Sequence, residues 1–206
     1  MTDLAALMGL NSAQPRPLPP REGRPWEALL EPGERLLWQG RPDPGFHLNW
    51  RHAVLAVLGA AVLVLSLSLA VQATAGLRDG AEGAGSALAA AAAGAALGLG
   101  CMVGPGLNDM LRRRGTSYAL TDRRALIETD YLGTGLVAWP ITADSPVWRG
   151  GGRPAGAFFA LYRRADPHVL LRPSRRAASL IPVGFERIAE VDDVLELLQA
   201  IREGRA

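Results

Sequence analysis

Two long stretches without a charge constrain this chain more than any other feature. From Ala53 to Val71 the sequence reads AVLAVLGAAVLVLSLSLAV, and Gln72 and Ala73 prolong it. As a helix rising about 1.5 Å per residue, 53–73 covers roughly 30 Å, one hydrocarbon thickness. It is apolar on every face, with Ser66 and Ser68 the weak interruptions. The core helix of a soluble protein keeps a polar stripe, and this segment has none. The second stretch, SALAAAAAGAALGLGCMVGPGL at 86–107, is also uncharged. Its Ala and Gly contribute little transfer energy, so it competes with a soluble Ala-rich helix; pairing with the first segment favours insertion. The pattern therefore predicts transmembrane helices over 53–73 and 86–107.

Small residues predict how these helices meet. Ala90, Gly94 and Gly98 recur every four residues, and Gly100 and Gly104 form a second such pair. Both sets are expected to allow close helix approach, within the chain, with another copy, or with a client's helix. Pro105 is expected to kink or end the second helix. The flanks set the orientation. Arg35, Arg41 and Arg51 precede the hairpin, Arg112, Arg113 and Arg114 follow it, and the connecting TAGLRDGAEGAGS holds only Arg78. The positive-inside rule then puts both ends in the cytoplasm. The triplet pins this topology, and it also suits anionic lipid.

Composition excludes several chemistries. All 22 basic residues are Arg, so no phosphate-loop or Schiff-base lysine exists. Cys101 is the one cysteine, which rules out an intramolecular disulfide and any CxxC metal site. GTGLVA at 133–138 fits G-x-G-x-x-A, but Pro140 blocks the helix that a dinucleotide site needs. His47, His52 and His168 are scattered, and no G-x-S-x-G elbow is present. Neither a metal, a cofactor nor an enzymatic activity is expected. A net charge of +2 gives no support for nucleic-acid binding. MTDLAALMGL has an acid and no positive n-region, so no cleaved leader is expected.

The rest reads as an α+β domain. Residues 1–30 hold the Pro-rich NSAQPRPLPPREGRP and are expected to be extended and poorly ordered. In 31–50, EPGE is a turn signal and RLLWQG a short strand joining the domain. Over 115–203, SYALTDRRALIETD predicts a hairpin turning at TDRR. GLVAWPIT, GAFFALYRR and HVLLRPS predict further strands. Trp139 and Trp148 fit a core or an interface. Phe185, Ile188, Val191, Val194, Leu195, Leu198 and Ile201 recur every three or four residues, which predicts a closing amphipathic helix. Asp192 or Asp193 would cap it and Gly204 would follow its end. Arg163, Arg164, Arg172, Arg175 and Arg176 form a second basic cluster, read as a solvated surface or as a contact for lipid headgroups or an acidic partner.

The order of these pieces resembles the bacterial pleckstrin-homology-like membrane proteins of the two-span type. The carrying residues are Gly33 and Glu34; Leu37, Trp38, Gly40, Arg41 and Pro42; Tyr118, Leu120 and Thr121 with Arg123 and Arg124; and GFERI at 184–188. The resemblance covers roughly residues 30–202, each motif being weak alone and their order around a hairpin distinctive. Residues 140–180 depart from it, being irregular and Arg-rich. It implies a two-helix transmembrane hairpin inserted before a small PH-like β-barrel or sheet closed by the C-terminal amphipathic helix. It further implies a membrane-anchored PH-like module, often of unassigned role; the expected function is a scaffold or assembly factor in the bacterial inner membrane, contacting a membrane-protein partner or anionic lipid. A relative in phototrophic bacteria assists assembly of photosynthetic complexes, an analogy only. The reading from a different class, an enzyme on a membrane substrate, lacks a paired catalytic constellation.

Overall fold

The computed structural model describes residues 15–45, 50–165 and 178–206, with the backbone alone at 51, 163–165 and 178–180. The chain is α+β and divides into two units, 44–111 and the combination of 1–43 with 112–206.

The first unit is built on two helices, α1 (Trp50–Arg78) and α2 (Ala84–Arg114). Both are long and apolar enough to cross a membrane. Only about 11% of each most apolar window is buried, which separates them from the core helices of soluble folds. Val57, Val64, Leu65 and Val71 of α1 and Leu97 and Leu99 of α2 are exposed. Both helices overrun the expected limits, because helical hydrogen bonding continues through polar turns once the helix is established. Pro105 lies inside α2, which continues past it to Arg114.

The helices meet along small residues. Gly59, Ser66 and Ala73 of α1 are buried, as are Ala84, Ala91 and Gly98 of α2. Each set recurs every seven residues. At about 100° per residue a seven-residue step drifts only about 20°, so it keeps facing a nearly aligned partner. A four-residue step drifts about 40°. Hence Gly98 is buried and Gly94 half-buried while Ala90 is exposed. A Cβ on Gly98 would lie 2.7 Å from Gly59 O, and one on Gly94 would lie 2.3 Å from Ser66 Oγ. Gly100 and Gly104 would meet nothing within 4 Å.

The other unit holds two antiparallel sheets. The strands are β1 (Arg16–Leu18), β2 (Leu36–Gly40), β3 (Thr116–Thr121), β4 (Arg124–Asp130), β5 (Thr134–Pro140), β6 (Trp148–Arg149), β7 (Ala157–Ala165) and β8 (Ala178–Phe185). They are ordered β1-β5-β4-β3-β2 and β6-β7-β8. Among the described residues these are open sheets, and the barrel alternative does not appear. Tyr118, Leu120, Ala125 and Trp139 of the larger sheet share one core with Ala157, Phe159 and Phe185 of the smaller. Helix α3 (Val191–Arg202) completes it with Val194, Leu198 and Ile201. Phe185 is the hub, its ring centroid 5.1 Å from Trp38, 5.0 Å from Tyr118 and 5.2 Å from Phe159. Trp139 is buried; Trp148 is half-buried and stacked on Phe158.

Three segments differ from the sequence expectation. Residues 15–30, expected to be an unordered lead, contain β1 and a 3₁₀ turn at Trp26–Leu29. Trp26 is 4% exposed and packs with Leu18, Leu29 and Leu36 on the outer face of the larger sheet, against Ala119, Leu126, Leu136 and Ala138. The apolar anchors between the prolines outweigh the proline bias toward open chain. Second, Phe185 ends β8 and Ile188 lies in the following loop; the closing helix begins only at Val191. Pro182 conceals β8 in the sequence but is tolerated because β8 is an edge strand and Pro182 is exposed. Third, Glu190 precedes α3 without a side-chain cap, and Asp192 and Asp193 occupy its first turn. The predicted strand at HVLLRPS lies outside the described residues.

Candidate functional site

The motif residues scattered along the sequence divide into a buried lock and an exposed cleft. The lock starts with the EPGE turn. Gly33 has φ +77°, the left-handed region open to glycine, and Glu34 N–H donates to Glu31 O at 2.9 Å. The turn directs Glu34 under the β3–β4 hairpin. Arg124 grips its carboxylate in bidentate fashion, Nε to Oε1 and Nη2 to Oε2, both at 2.8 Å. Thr121 donates to Oε1 at 2.7 Å, and Glu31 N–H donates to Oε2 at 2.7 Å. Arg124 also reaches Glu31 Oε1 at 3.0 Å and Leu29 O at 3.2 Å. The Thr121 hydroxyl accepts from Arg123 N–H and Arg124 N–H at 3.2 and 3.0 Å, closing the hairpin turn. Charge-assisted, bidentate bonds of this kind are the strong ones in a dry site.

The other motif residues secure β2 and its surroundings. The Trp38 ring folds over Gly40, where a Cβ would approach it to 2.3 Å, so glycine at 40 is a steric requirement. Pro42 is buried, and Tyr118 accepts a 3.3 Å hydrogen bond from Glu186 N–H. Burial, and next the Glu186 charge, push the Tyr118 phenol above its ordinary value. For Glu34, burial pushes the carboxyl upward. The hydrogen bonds from Arg124, Glu31 N–H and Thr121, with the Arg124 charge, outweigh burial and hold the group below 4.5. A depressed carboxyl stabilises the fold fully above its unfolded value and loses that contribution as pH falls through the lower folded value. Acid melting of the wild type below about pH 4.5 should therefore be steeper than that of Glu34→Gln. Parallel Tm-against-pH curves for the two proteins would refute the assignment.

The Arg112–Arg114 triplet takes three different positions. Arg112 forms a 2.9 Å ion pair with Glu186. Arg113 is buried. Arg114 is exposed and lines a cleft of about 400 Å³ with Arg21, Arg41, Ser117, Glu128 and Asp130. Arg21 is committed, 2.9 Å from Glu128 and with its guanidinium 4.6 Å from the Trp26 ring centroid. Arg41 and Arg114 have no ion pair among the described residues. Asp130 accepts from the Thr134 hydroxyl at 2.7 Å. Arg123 is exposed at the β3–β4 turn. Of the second basic cluster, Arg163 and Arg164 lie on β7, paired in register with Leu180 and Ser179; Arg172, Arg175 and Arg176 lie outside the described residues.

Sequence reasoning overlooked Arg21, Glu128 and Asp130. Glu128, an acid in the otherwise apolar ALIE run of β4, carried a signal, since a charge there needs a partner. No family model, curated protein or solved structure matches this chain.

Proposed function

We propose that this protein is a non-enzymatic membrane scaffold or assembly factor: a two-span hairpin holds a PH-like interaction domain at the cytoplasmic face of a bacterial inner membrane. One observation carries the reading. Two helices of membrane-spanning length leave most of their apolar side chains uncovered, and the chain on both sides of them belongs to one α+β unit. Such helices need lipid or another membrane helix around them. The arginine bias supports a cytoplasmic location for that unit. The motif residues support an interaction role, because Glu34, Thr121 and Arg124 serve the fold and leave open charge at Arg41 and Arg114. The partner is a membrane protein, a lipid, or both.

Topology provides the test. Alkaline phosphatase fused after Ala206 should be inactive, and the same enzyme inserted in the 79–83 loop should be active. Replacing Arg112, Arg113 and Arg114 together with Gln should weaken this bias. An active fusion at Ala206 in the unaltered chain, or recovery of the protein in the soluble fraction without detergent, overturns the proposal.

A further inference from the structure

We infer that the Arg41–Arg114–Asp130 cleft is a binding site for the zwitterionic phosphoethanolamine headgroup of a membrane lipid. The phosphate lies against Arg41 and Arg114, and the ammonium lies against Asp130. This inference rests on the membrane reading above and names a ligand class for its exposed cleft.

The order of charge across the sheet is the first argument. Arg41 follows the end of β2, Arg114 and Gly115 lead into β3, and Asp130 ends β4. These strands are consecutive neighbours, and Asp130 N–H donates to Gly115 O at 2.7 Å. Two cations without an ion pair among the described residues thus line the cleft from the β2 and β3 ends. From the end of β4 it is lined by the Asp130 carboxylate, which among the described residues accepts from a neutral hydroxyl and has no ion pair. Glu128 is already neutralised by Arg21, whereas Glu22, exposed and without an ion pair among the described residues, lines the same cleft and adds to its acidic character. A purely anionic headgroup would satisfy the arginines and face Asp130 unfavourably. A choline headgroup matches the charges but has no N–H to donate, whereas a primary ammonium has three. The cleft volume of about 400 Å³ falls in the range of small-ligand sites.

Position is the second argument. Arg114 is the last residue of α2, seven residues beyond the end of its uncharged stretch, about 10 Å along the helix. The hairpin tip following Asp130 presents Leu132, which is 92% exposed and has φ +54°. The apolar surface it exposes follows the cleft residue Asp130 in the chain and suits a lipid better than a free polar solute.

Native mass spectrometry of the full-length protein in a mild detergent, titrated with defined lipids, tests the site. Phosphatidylethanolamine should be retained at least fivefold more tightly than phosphatidylcholine or phosphatidylglycerol of the same chains. The Arg41→Gln/Arg114→Gln protein should lose about tenfold for phosphatidylethanolamine, and Asp130→Asn should lower it to the phosphatidylcholine level. Arg78→Gln, a cation in the other unit, should match the wild type. Preference for phosphatidylglycerol, or an unaltered affinity in the folded double variant, overturns the proposal. So does equal binding of soluble glycerophosphoethanolamine, which would make the ligand a free metabolite. The wild-type lipid ranking is readable even if a variant misfolds. Failure of the ranking with intact fusion topology would refute the site alone and leave the membrane reading standing.

Discussion

Arg124→Ala should destabilise the α+β unit by about 3–5 kcal/mol, the usual cost of removing one partner from a buried ion pair. Glu34 would remain with a side chain that is 0% exposed. Among the described residues Thr121 and the Glu31 N–H would be its remaining donors, and neither carries charge. The same substitution frees the Leu29 carbonyl and loosens Glu31, so the turn before β2 loses its tie to the β3–β4 hairpin. Net stabilities of domains are about 5–15 kcal/mol, so this loss is a large share, equivalent to a Tm drop of roughly 10–20 °C. Trp26, Trp38 and Trp139 report the transition by fluorescence because each packs in or against a core of this unit. The paired replacement Glu34→Leu/Arg124→Met should recover much of the loss, since exchanging a buried pair for apolar groups removes the desolvation penalty. If Arg124→Ala shifted Tm by less than about 3 °C, the lock would not be what joins these elements.

The lock also shows what a linear reading of the chain can reach. Glu34, Thr121 and Arg124 were visible as recurring letters, but their spacing carries no geometry: a turn at 31–34 and a hairpin some 90 positions later must fold before they meet. Where periodicity governs, the sequence was sufficient. The two apolar stretches, the β3–β4 hairpin and the Val191–Ile201 face were all legible, because a helix or strand states its buried face in its own spacing. Trp26 was not legible, since a single aromatic between prolines has no period. Nor was β8, where Pro182 suppresses the strand signal and only its edge position permits it. Phe185 and Ile188 continued the helical spacing of α3 by coincidence, since a strand end and a loop can face the same core. The triplet was legible as charge but not as three fates: the Glu186 pair, the burial of Arg113 and the exposure of Arg114 depend on which way the last turn of α2 points. The cleft acids Glu128 and Asp130 become meaningful only once β3 and β4 are in register.

Gly98→Ile is expected to separate the two helices of the hairpin. A Cβ at this position would stand 2.7 Å from Gly59 O, 2.9 Å from Leu63 N and 3.2 Å from Leu63 Cα. All three are backbone atoms, so no rotamer change relieves the contact and the helix axes must move. Overpacking of a tight contact commonly costs about 1–3 kcal/mol, occasionally more. A β-branched residue against backbone on the seam belongs at the upper end, about 3 kcal/mol, or roughly a hundredfold in the closed-to-open ratio. Gly94→Ala provides the graded case: its Cβ would meet Ser66 Oγ, a side chain now bonded to Val62 O at 2.8 Å and free to rotate, so the loss should be under about 1 kcal/mol. Gly104→Ile provides the blank, with nothing within 4 Å of its Cβ. The native Cys101 reports the outcome, since it is half-buried and its Cβ would lie 3.0 Å from a Cβ at Gly59. Its maleimide labelling in mild detergent should accelerate severalfold in Gly98→Ile, slightly in Gly94→Ala, and not in Gly104→Ile. Equal rates in all three variants would mean that the seven-residue seam does not hold the helices together. A change in Gly104→Ile alone would instead move the packing face to the side of α2 that the structure leaves open, where a second copy or a client helix has room to sit.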